Sequence, residues 1–202
     1  MVFITIPEIL DIVIMTVAIG YIFTQSLLRF KNQNHYYKEE ITKKNFLFSI
    51  YLVGPAIILH ELGHKFTALA LGSNATFFSS LSINKLIQGI PFFDFPAILM
   101  IIALASAYFG SGFIFFVPGY VAISSVITPI QTLLIAFAGP GINLVLWLGS
   151  KWLLNTGKIP HKYQTLAFLT GRINMFLFIL NMIPIPGFDG FKVFTSLSQI
   201  IF

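Results

Sequence analysis

A five-residue stretch, His60-Glu61-Leu62-Gly63-His64, has the residue types and spacing of a hydrolytic metal site. On a helix, His60 and His64 lie on one face because they are four residues apart, so both can bind one metal ion. Glu61 follows the first histidine, where a carboxylate can reach a metal-bound water and accept its proton. The alternative is that neighbouring helices satisfy these side chains, and five residues match by chance in many sequences. Ionisable residues are rare in apolar segments such as this one, which favours the metal site.

The composition predicts a membrane protein. Of the 202 residues, 56% are hydrophobic and 9% are charged. A soluble core cannot bury so much apolar surface, so we expect an all-α polytopic membrane protein, a helical bundle in a lipid bilayer. The expected location is the cell membrane, crossed several times. The net charge of +5 does not indicate a nucleic-acid partner, because the basic residues cluster at loops and helix ends. Without cysteine, any metal must use His, Asp, Glu or water.

Four apolar segments are long enough to be transmembrane helices: 8–28, 46–71, 129–150 and 164–183. The second carries the pentapeptide, and Gly72 is placed to end it. The third is expected to break at Gly139-Pro140-Gly141.

The polar stretches between these segments are expected to be loops. Residues 29–45 and 151–163 are basic, and His35 and His161 within them are expected at the surface. Residues 73–95 are rich in aromatic and hydroxyl residues, which predicts short strands or an interfacial segment.

A zinc site with two histidines needs a third protein ligand, with the fourth position left to water. Besides Glu61, five acidic residues lie at segment ends, in loops or near an apparent interface: Glu8, Asp11, Glu39, Glu40 and Asp94. Asp189 follows the last apolar segment and the Pro184-Ile185-Pro186 break. Irregular backbone at membrane depth is tolerated where it lines a cavity, so Asp189 is the candidate third ligand. A helix cap or an interfacial aspartate is the alternative.

Two further stretches follow the pentapeptide along the chain: Ala138-Gly139-Pro140-Gly141-Ile142-Asn143 and Asn181-Met182-Ile183-Pro184-Ile185-Pro186-Gly187-Phe188-Asp189-Gly190. The second is similar to an Asn-x-x-Pro-x-Pro-x-x-Asp-Gly motif. With the pentapeptide, the two stretches resemble, in order, the three motifs of the site-2 protease family of intramembrane zinc metalloproteases. The stretch Phe116-Val117-Pro118-Gly119-Tyr120-Val121 also resembles archaeal-type members.

The resemblance implies roles for the residues of all three motifs. His60, His64 and Asp189 would bind Zn²⁺, and Glu61 would be the general base. The implied reaction is hydrolysis of peptide bonds within or near the transmembrane helices of membrane protein substrates. Residues 46–202 would form the intramembrane metalloprotease core, after a first transmembrane helix and basic loop over residues 1–45.

The remaining motif residues are implied to contact substrate. Asn143 and Asn181 would position the substrate or polarise its carbonyl, since a side-chain amide can donate to a developing oxyanion. The alternative is that the two amides hydrogen-bond neighbouring helices. Pro184 and Pro186 would hold an extended segment that pairs with substrate, or would only shape the chain for Asp189.

Two other functions fit parts of the sequence. A non-catalytic adaptor would keep the fold and the metal, but it has no need of Glu61. A small metal transporter would be expected to show more polar residues along a continuous route. The sequence does not indicate the oligomeric state.

The site constrains the path of the chain. His60 and Asp189 meet most easily if segments 46–71 and 164–183 begin on the same side of the membrane. Residues 96–117 are then expected to be re-entrant or to lie against the core rather than to cross once. The positive-inside rule places both basic loops on the cytoplasmic side of the membrane. The family resemblance instead places both loops outside, with the zinc nearer the cytoplasm. Lys65, Arg172 and Lys192 are expected at the interface.

Overall fold

The computed structural model describes residues 3–32, 41–110, 117–125 and 127–202, with the side chains of residues 29–32 left out. The elements in chain order are α1 (Ile6–Asn32), α2 (Lys43–Ala70), β1 (Ala75–Ser79), α3 (Ile83–Ile87), α4 (Phe95–Phe109), β2 (Gly119–Ile123), α5 (Pro129–Asn155), α6 (His161–Asn181) and α7 (Asp189–Ile201). His35, Glu39, Glu40, Ser111, Gly112 and Phe116 lie outside the described residues.

The predicted fold class is confirmed. Four helices, α1, α2, α5 and α6, are long and apolar enough to cross a membrane, and the strands of the described part form one small two-stranded sheet. Many outward-facing residues of these helices are large and apolar: Val13, Val17, Tyr51, Val145, Leu148, Trp152, Phe176 and Ile179. Such a surface suits hydrocarbon better than water, so the protein is an integral membrane protein.

Two details of the long helices differ from expectation. The predicted break at Gly139-Pro140-Gly141 is wrong, because α5 is continuous through Pro140. Proline removes one helical hydrogen bond, to the carbonyl of Ala136, and no water competes for the remaining bonds in an apolar environment. The loop predicted from residue 151 is also shorter, because α5 continues to Asn155 and His161 already begins α6. His161 is exposed, as expected.

Gly72 ends α2 as predicted. Its φ of +81° places it in the left-handed region, which glycine adopts without a steric penalty. The amide of Ser73 then donates to the carbonyl of Ala68 at 2.9 Å, which satisfies one of the last free carbonyls of the helix.

The described chain divides into two compact units. The motif unit contains residues 56–76 and 121–202, and the N-terminal unit contains residues 2–55 and 77–120. The boundary falls inside α2 and inside both strands. In the motif unit, α5 packs against α6 and α7. A small apolar core, formed by Ala68, Leu69, Ala75 and Ile135, joins the end of α2 to α5.

Two buried carboxylates organise the N-terminal unit. Glu8 and Asp11 lie in the first turns of α1, at a segment end as expected, but both are buried, which the sequence did not predict. Glu8 accepts hydrogen bonds from the amides of Thr5 and Phe77, each at 2.8 Å. These bonds tie the start of α1 to β1, since a buried carboxylate is tolerated only with such donors.

The short strand expected in residues 73–95 is present as β1, and it is followed by α3 and α4. Asp94 caps α4 by accepting from the amide of Ala97 at 3.0 Å, and it pairs with the buried Lys85 at 2.6 Å. The α4 helix packs on α1 through Ala18, Ile22, Met100, Ala103 and Ala107.

The 15 residues of α4 reach only ~22 Å at about 1.5 Å per residue, which is less than the thickness of a bilayer core, about 30 Å. The length of α4 is compatible with the non-crossing path expected for residues 96–117, and that path stays a prediction.

Candidate metal centre

The two histidines of the pentapeptide share one buried face of α2. His60, Glu61 and His64 are each exposed by 7% or less. The Nε2 atoms of His60 and His64 lie 3.1 Å apart, because side chains four residues apart stack on the same side of a helix. A metal ion could therefore be reached by both rings from one side.

Asp189 brings the third ligand-type atom to the same point. It is the first residue of α7, and its Oδ2 lies 3.1 Å from His60 Nε2 and 3.3 Å from His64 Nε2. Tetrahedral zinc with bonds of about 2.0–2.2 Å places neighbouring ligand atoms roughly 3.3–3.6 Å apart. The three atoms thus fit one zinc ion to within a few tenths of an ångström, and all three residues belong to the motif unit.

The second nitrogen of each ring shows which nitrogen is free for a metal. His64 Nδ1 lies 2.7 Å from the carbonyl oxygen of Ile135, which can only accept, so this nitrogen carries the hydrogen. His60 Nδ1 lies 2.6 Å from Asn143 Oδ1, which also accepts. Both Nε2 atoms then present lone pairs toward each other and toward a carboxylate oxygen. Three converging acceptors repel one another unless a cation lies between them, so this donor set fits a metal ion.

Asp189 is suited to the role of a metal ligand. A carboxylate oxygen is a usual zinc ligand beside two imidazole nitrogens. Because both rings carry their hydrogens on Nδ1, the two Nε2 atoms offer this carboxylate no hydrogen, and a cation held by all three atoms would be its partner.

Two motif glycines allow the backbone to approach this cluster. A Cβ at Gly139 would lie 2.3 Å from His64 Nε2 and 2.8 Å from His60 Cε1, so any side chain there would occupy the space of the ligand atoms. A Cβ at Gly190 would lie 2.4 Å from the carbonyl carbon of Met182, so glycine lets the start of α7 pack on that backbone. The middle and last motifs therefore have a steric reason for their glycines.

Glu61 is placed differently from the ligands. It lies on α2 between the two histidines and is buried. Among the described residues, no donor hydrogen-bonds to its carboxylate. An acid without a donor keeps its lone pairs available for a proton from a water molecule.

Asn143 is fully hydrogen-bonded by protein groups. Its Oδ1 faces His60, and its Nδ2 donates to the carbonyl of Ala56 at 3.2 Å and to Asn174 Oδ1 at 2.8 Å. Asn174 is therefore part of the cluster, although sequence reasoning missed it. Its signal was an amide in an apolar helix, two turns before Asn181 and hence on the same side of α6.

The other predicted substrate residues lie at the end of α6 and beyond it. Asn181 is half-buried, and within the described part of the chain its side chain makes no hydrogen bond. Pro184 and Pro186 are exposed in a segment of successive turns, where Phe188 N donates to the carbonyl of Ile185 at 3.1 Å. The segment is not an extended strand, which favours the alternative that these prolines shape the chain for Asp189.

The three basic residues near the motifs differ from one another. Arg172 and Lys192 are exposed, and their interfacial position stays a prediction. The expectation for Lys65 is wrong, because its side chain is 1% exposed and enclosed by the protein. It follows His64 on α2 and so lies on an adjacent, inward-facing part of the helix.

Curated proteins from three organisms are similar to this chain, each with the name "Putative zinc metalloprotease". The protein of Methanocaldococcus jannaschii is 32% identical over 187 residues, which cover 92% of this chain and 82% of the relative. This chain belongs to the same protein family. The match is therefore far longer than the pentapeptide.

The other two relatives are matched over smaller parts of their own length. Rip2 of Mycolicibacterium smegmatis is 30% identical over 140 residues, which cover 67% of this chain and 51% of Rip2. The protein of Synechocystis is 29% identical over 151 residues, which cover 75% of this chain and 31% of the relative. The chain thus spans about half the length of Rip2. No family model and no solved structure matches the chain.

Proposed function

We propose that this protein is a zinc-dependent intramembrane endopeptidase of the site-2 protease type. Its proposed reaction is hydrolysis of peptide bonds within or near the transmembrane helices of other membrane proteins. The observation that carries the proposal is the convergence of three acceptor atoms, His60 Nε2, His64 Nε2 and Asp189 Oδ2, within 3.3 Å of one another. The names of the relatives support the zinc metalloprotease part of the proposal.

The residues of the site have different proposed roles in the reaction. His60, His64 and Asp189 would hold the zinc, which when bound supplies a Lewis acid that polarises a carbonyl and makes water more acidic. Glu61 accepts the proton of the attacking water and delivers it to the leaving amine. Its buried position keeps bulk water from competing for that proton.

Substrate contact is assigned to the end of α6. Asn181 has an amide that makes no hydrogen bond among the described residues, so it can donate to the carbonyl oxygen of the substrate. Asn143 was predicted to do the same, but both of its amide hydrogens already have acceptors. A transmembrane substrate must unwind locally, because a helical amide is shielded by its own hydrogen bonds.

The first test combines metal content and cleavage. Detergent-purified wild type is expected to contain about one zinc per chain, and Asp189→Ala is expected to lose most of it. In liposomes, wild type is expected to cleave a fluorescent transmembrane peptide, and a zinc chelator is expected to stop cleavage. His161→Ala is a matched control, because this histidine is exposed at the start of α6 and outside the cluster.

Other outcomes would support different functions. Zinc without cleavage of any membrane peptide would favour the adaptor. Zinc flux into liposomes that depends on His60 would favour the transporter. Absence of zinc from well-folded wild type would contradict the proposal.

A further inference from the structure

Asn174 lies outside the three motifs, yet it is one of the most deeply buried polar residues of the motif unit. Its side chain is 0% exposed in the middle of α6. A buried amide is costly unless its donors and acceptor find partners. The Nδ2 of Asn174 donates to the carbonyl of Thr170 at 2.9 Å, and its Oδ1 accepts from Asn143 at 2.8 Å.

The two ends of this chain of bonds fix the orientation of both amides. The carbonyl of Thr170 can only accept, so Nδ2 of Asn174 faces it and Oδ1 must face Asn143. The carbonyl of Ala56 can also only accept, so it holds Nδ2 of Asn143 in the same way. The remaining atom, Asn143 Oδ1, therefore faces His60 Nδ1 at 2.6 Å.

This orientation determines the state of the His60 ring. An amide oxygen cannot donate, so the hydrogen of the neutral imidazole must lie on Nδ1. The lone pair is then on Nε2, beside His64 Nε2 and Asp189 Oδ2. Successive hydrogen bonds polarise one another in a low-dielectric interior, which strengthens the last bond to the ring.

We propose that Asn143 and Asn174 form an amide relay from α6 to α2 that positions His60 as a metal ligand. The proposal rests on the zinc site proposed above and adds Asn174 as a positioning residue. Partners of this kind orient metal-bound histidines, and their loss typically lowers metal affinity about 10- to 100-fold. Because α6 also leads to Asp189, one helix supports two of the three ligands.

The test measures zinc affinity by competition with a chromophoric chelator, on full-length protein in detergent. Asn174→Leu is nearly isosteric but cannot accept from Asn143, and it is expected to weaken zinc binding by about 10- to 100-fold. Asn174→Asp, as the neutral acid, keeps an acceptor toward Asn143 and a hydroxyl donor toward the carbonyl of Thr170, and it is expected to stay within about threefold of wild type because the bond to His60 is preserved. Ser150→Ala is the matched control, because Ser150 lies at the α5–α6 contact beside Gly171 but outside the relay.

A spectroscopic readout separates positioning from simple stability. The chain has four histidines, so ¹⁵N-histidine labelling gives few signals. In zinc-loaded wild type, His60 is expected to carry its hydrogen on Nδ1 and to bind metal through Nε2. In Co²⁺-loaded Asn174→Leu, the visible absorption bands are expected to shift relative to wild type. In Co²⁺-loaded Asn174→Asp, the bands are expected to stay at the wild-type wavelengths.

The outcomes separate the relay from the metalloprotease proposal. If wild type binds zinc and Asn174→Leu binds it equally well, the relay is wrong and the metalloprotease proposal stands. If wild-type His60 binds zinc through Nδ1, the relay is also wrong, even where Asn174→Leu fails to fold. If well-folded wild type binds no zinc, the metalloprotease proposal fails first and the relay with it.

Discussion

Two carboxylates, the buried Asp11 in the N-terminal unit and the partly buried Asp189 in the motif unit, meet different partners. Asp11 is 0% exposed and accepts from the amides of Ile83 at 2.9 Å and Ser79 at 3.1 Å, and from the hydroxyl of Ser82. Asp189 faces two histidine nitrogens whose hydrogens are on the far side of the rings. The first carboxylate is satisfied by donors of the protein, whereas the second faces two lone pairs, an arrangement that a cation would satisfy.

The contrast changes how a buried acid in an apolar helix is interpreted. Ionisable residues in membrane segments are usually taken as functional. Glu8 and Asp11 show that such residues can be structural, because their hydrogen bonds hold β1 and the turn before α3. What distinguishes a reactive site is the type of partner rather than the depth of burial.

The largest expected effect is on catalysis at Glu61. Glu61→Gln removes the proton acceptor but keeps size and polarity, so peptide cleavage is expected to fall about 10²- to 10⁴-fold. Zinc content and thermal stability are expected to stay at wild-type values, because Glu61 accepts no hydrogen bond among the described residues. Cleavage assays, zinc analysis and thermal unfolding of the same purified variant measure these three quantities. Retained activity would refute the assignment of the base.

The opposite pattern is expected at Asp11. Asp11→Ala leaves three backbone amides and one hydroxyl without their acceptor. At about 1–3 kcal/mol for each orphaned donor, a loss of at least roughly 4 kcal/mol of stability is expected. Thermal unfolding in detergent measures this, and the folded fraction is expected to keep one zinc per chain. A stable Asp11→Ala that has lost its zinc would break the contrast between the two acids.

The glycine beside the metal ligands gives a steric test of the motif unit. Gly139→Ala places a methyl group 2.3 Å from His64 Nε2, so zinc affinity is expected to fall by at least about tenfold, as for other displaced ligands. Gly141→Ala is the control in the same motif, because its Cβ would meet only the ring of Phe137 at 3.3 Å. Chelator competition compares the two variants. Equal affinities would mean that α5 does not approach the ligands as described.

The smallest effect is expected at Glu8. Glu8→Gln keeps an oxygen for the amide of Phe77 but loses the charge that strengthens the bonds from Thr5, so a loss of about 1 kcal/mol is expected. A fall in the unfolding temperature by a few degrees, with cleavage unchanged, would agree with a purely structural acid. A large loss of cleavage at full stability would argue for a role of Glu8 in the reaction.

Much of the fold could be predicted from the sequence, because a bilayer imposes long apolar helices and a span is visible in composition alone. All four long helices agree with expectation within a few residues. The continuity of α5 through Pro140 could not be predicted, because glycine and proline usually interrupt helices. The surrounding apolar environment preserves the other backbone hydrogen bonds of the helix, and a sequence pattern does not show that environment. The burial of Glu8 and Asp11 was missed because many of their partners are backbone groups of residues 77–84, far away in sequence. The burial of Lys65 was missed as well.

The sequence by itself determined the types and spacing of the reactive residues: two histidines one turn apart, an acid between them and an Asp-Gly after a proline break. Local helix geometry suffices to place His60 and His64 together. Only the tertiary structure decided that Asp189 Oδ2 meets both rings and that Asn174, through Asn143, orients one of them. These contacts join α2, α5, α6 and α7 over long sequence separations, and they depend on packing that no local pattern encodes.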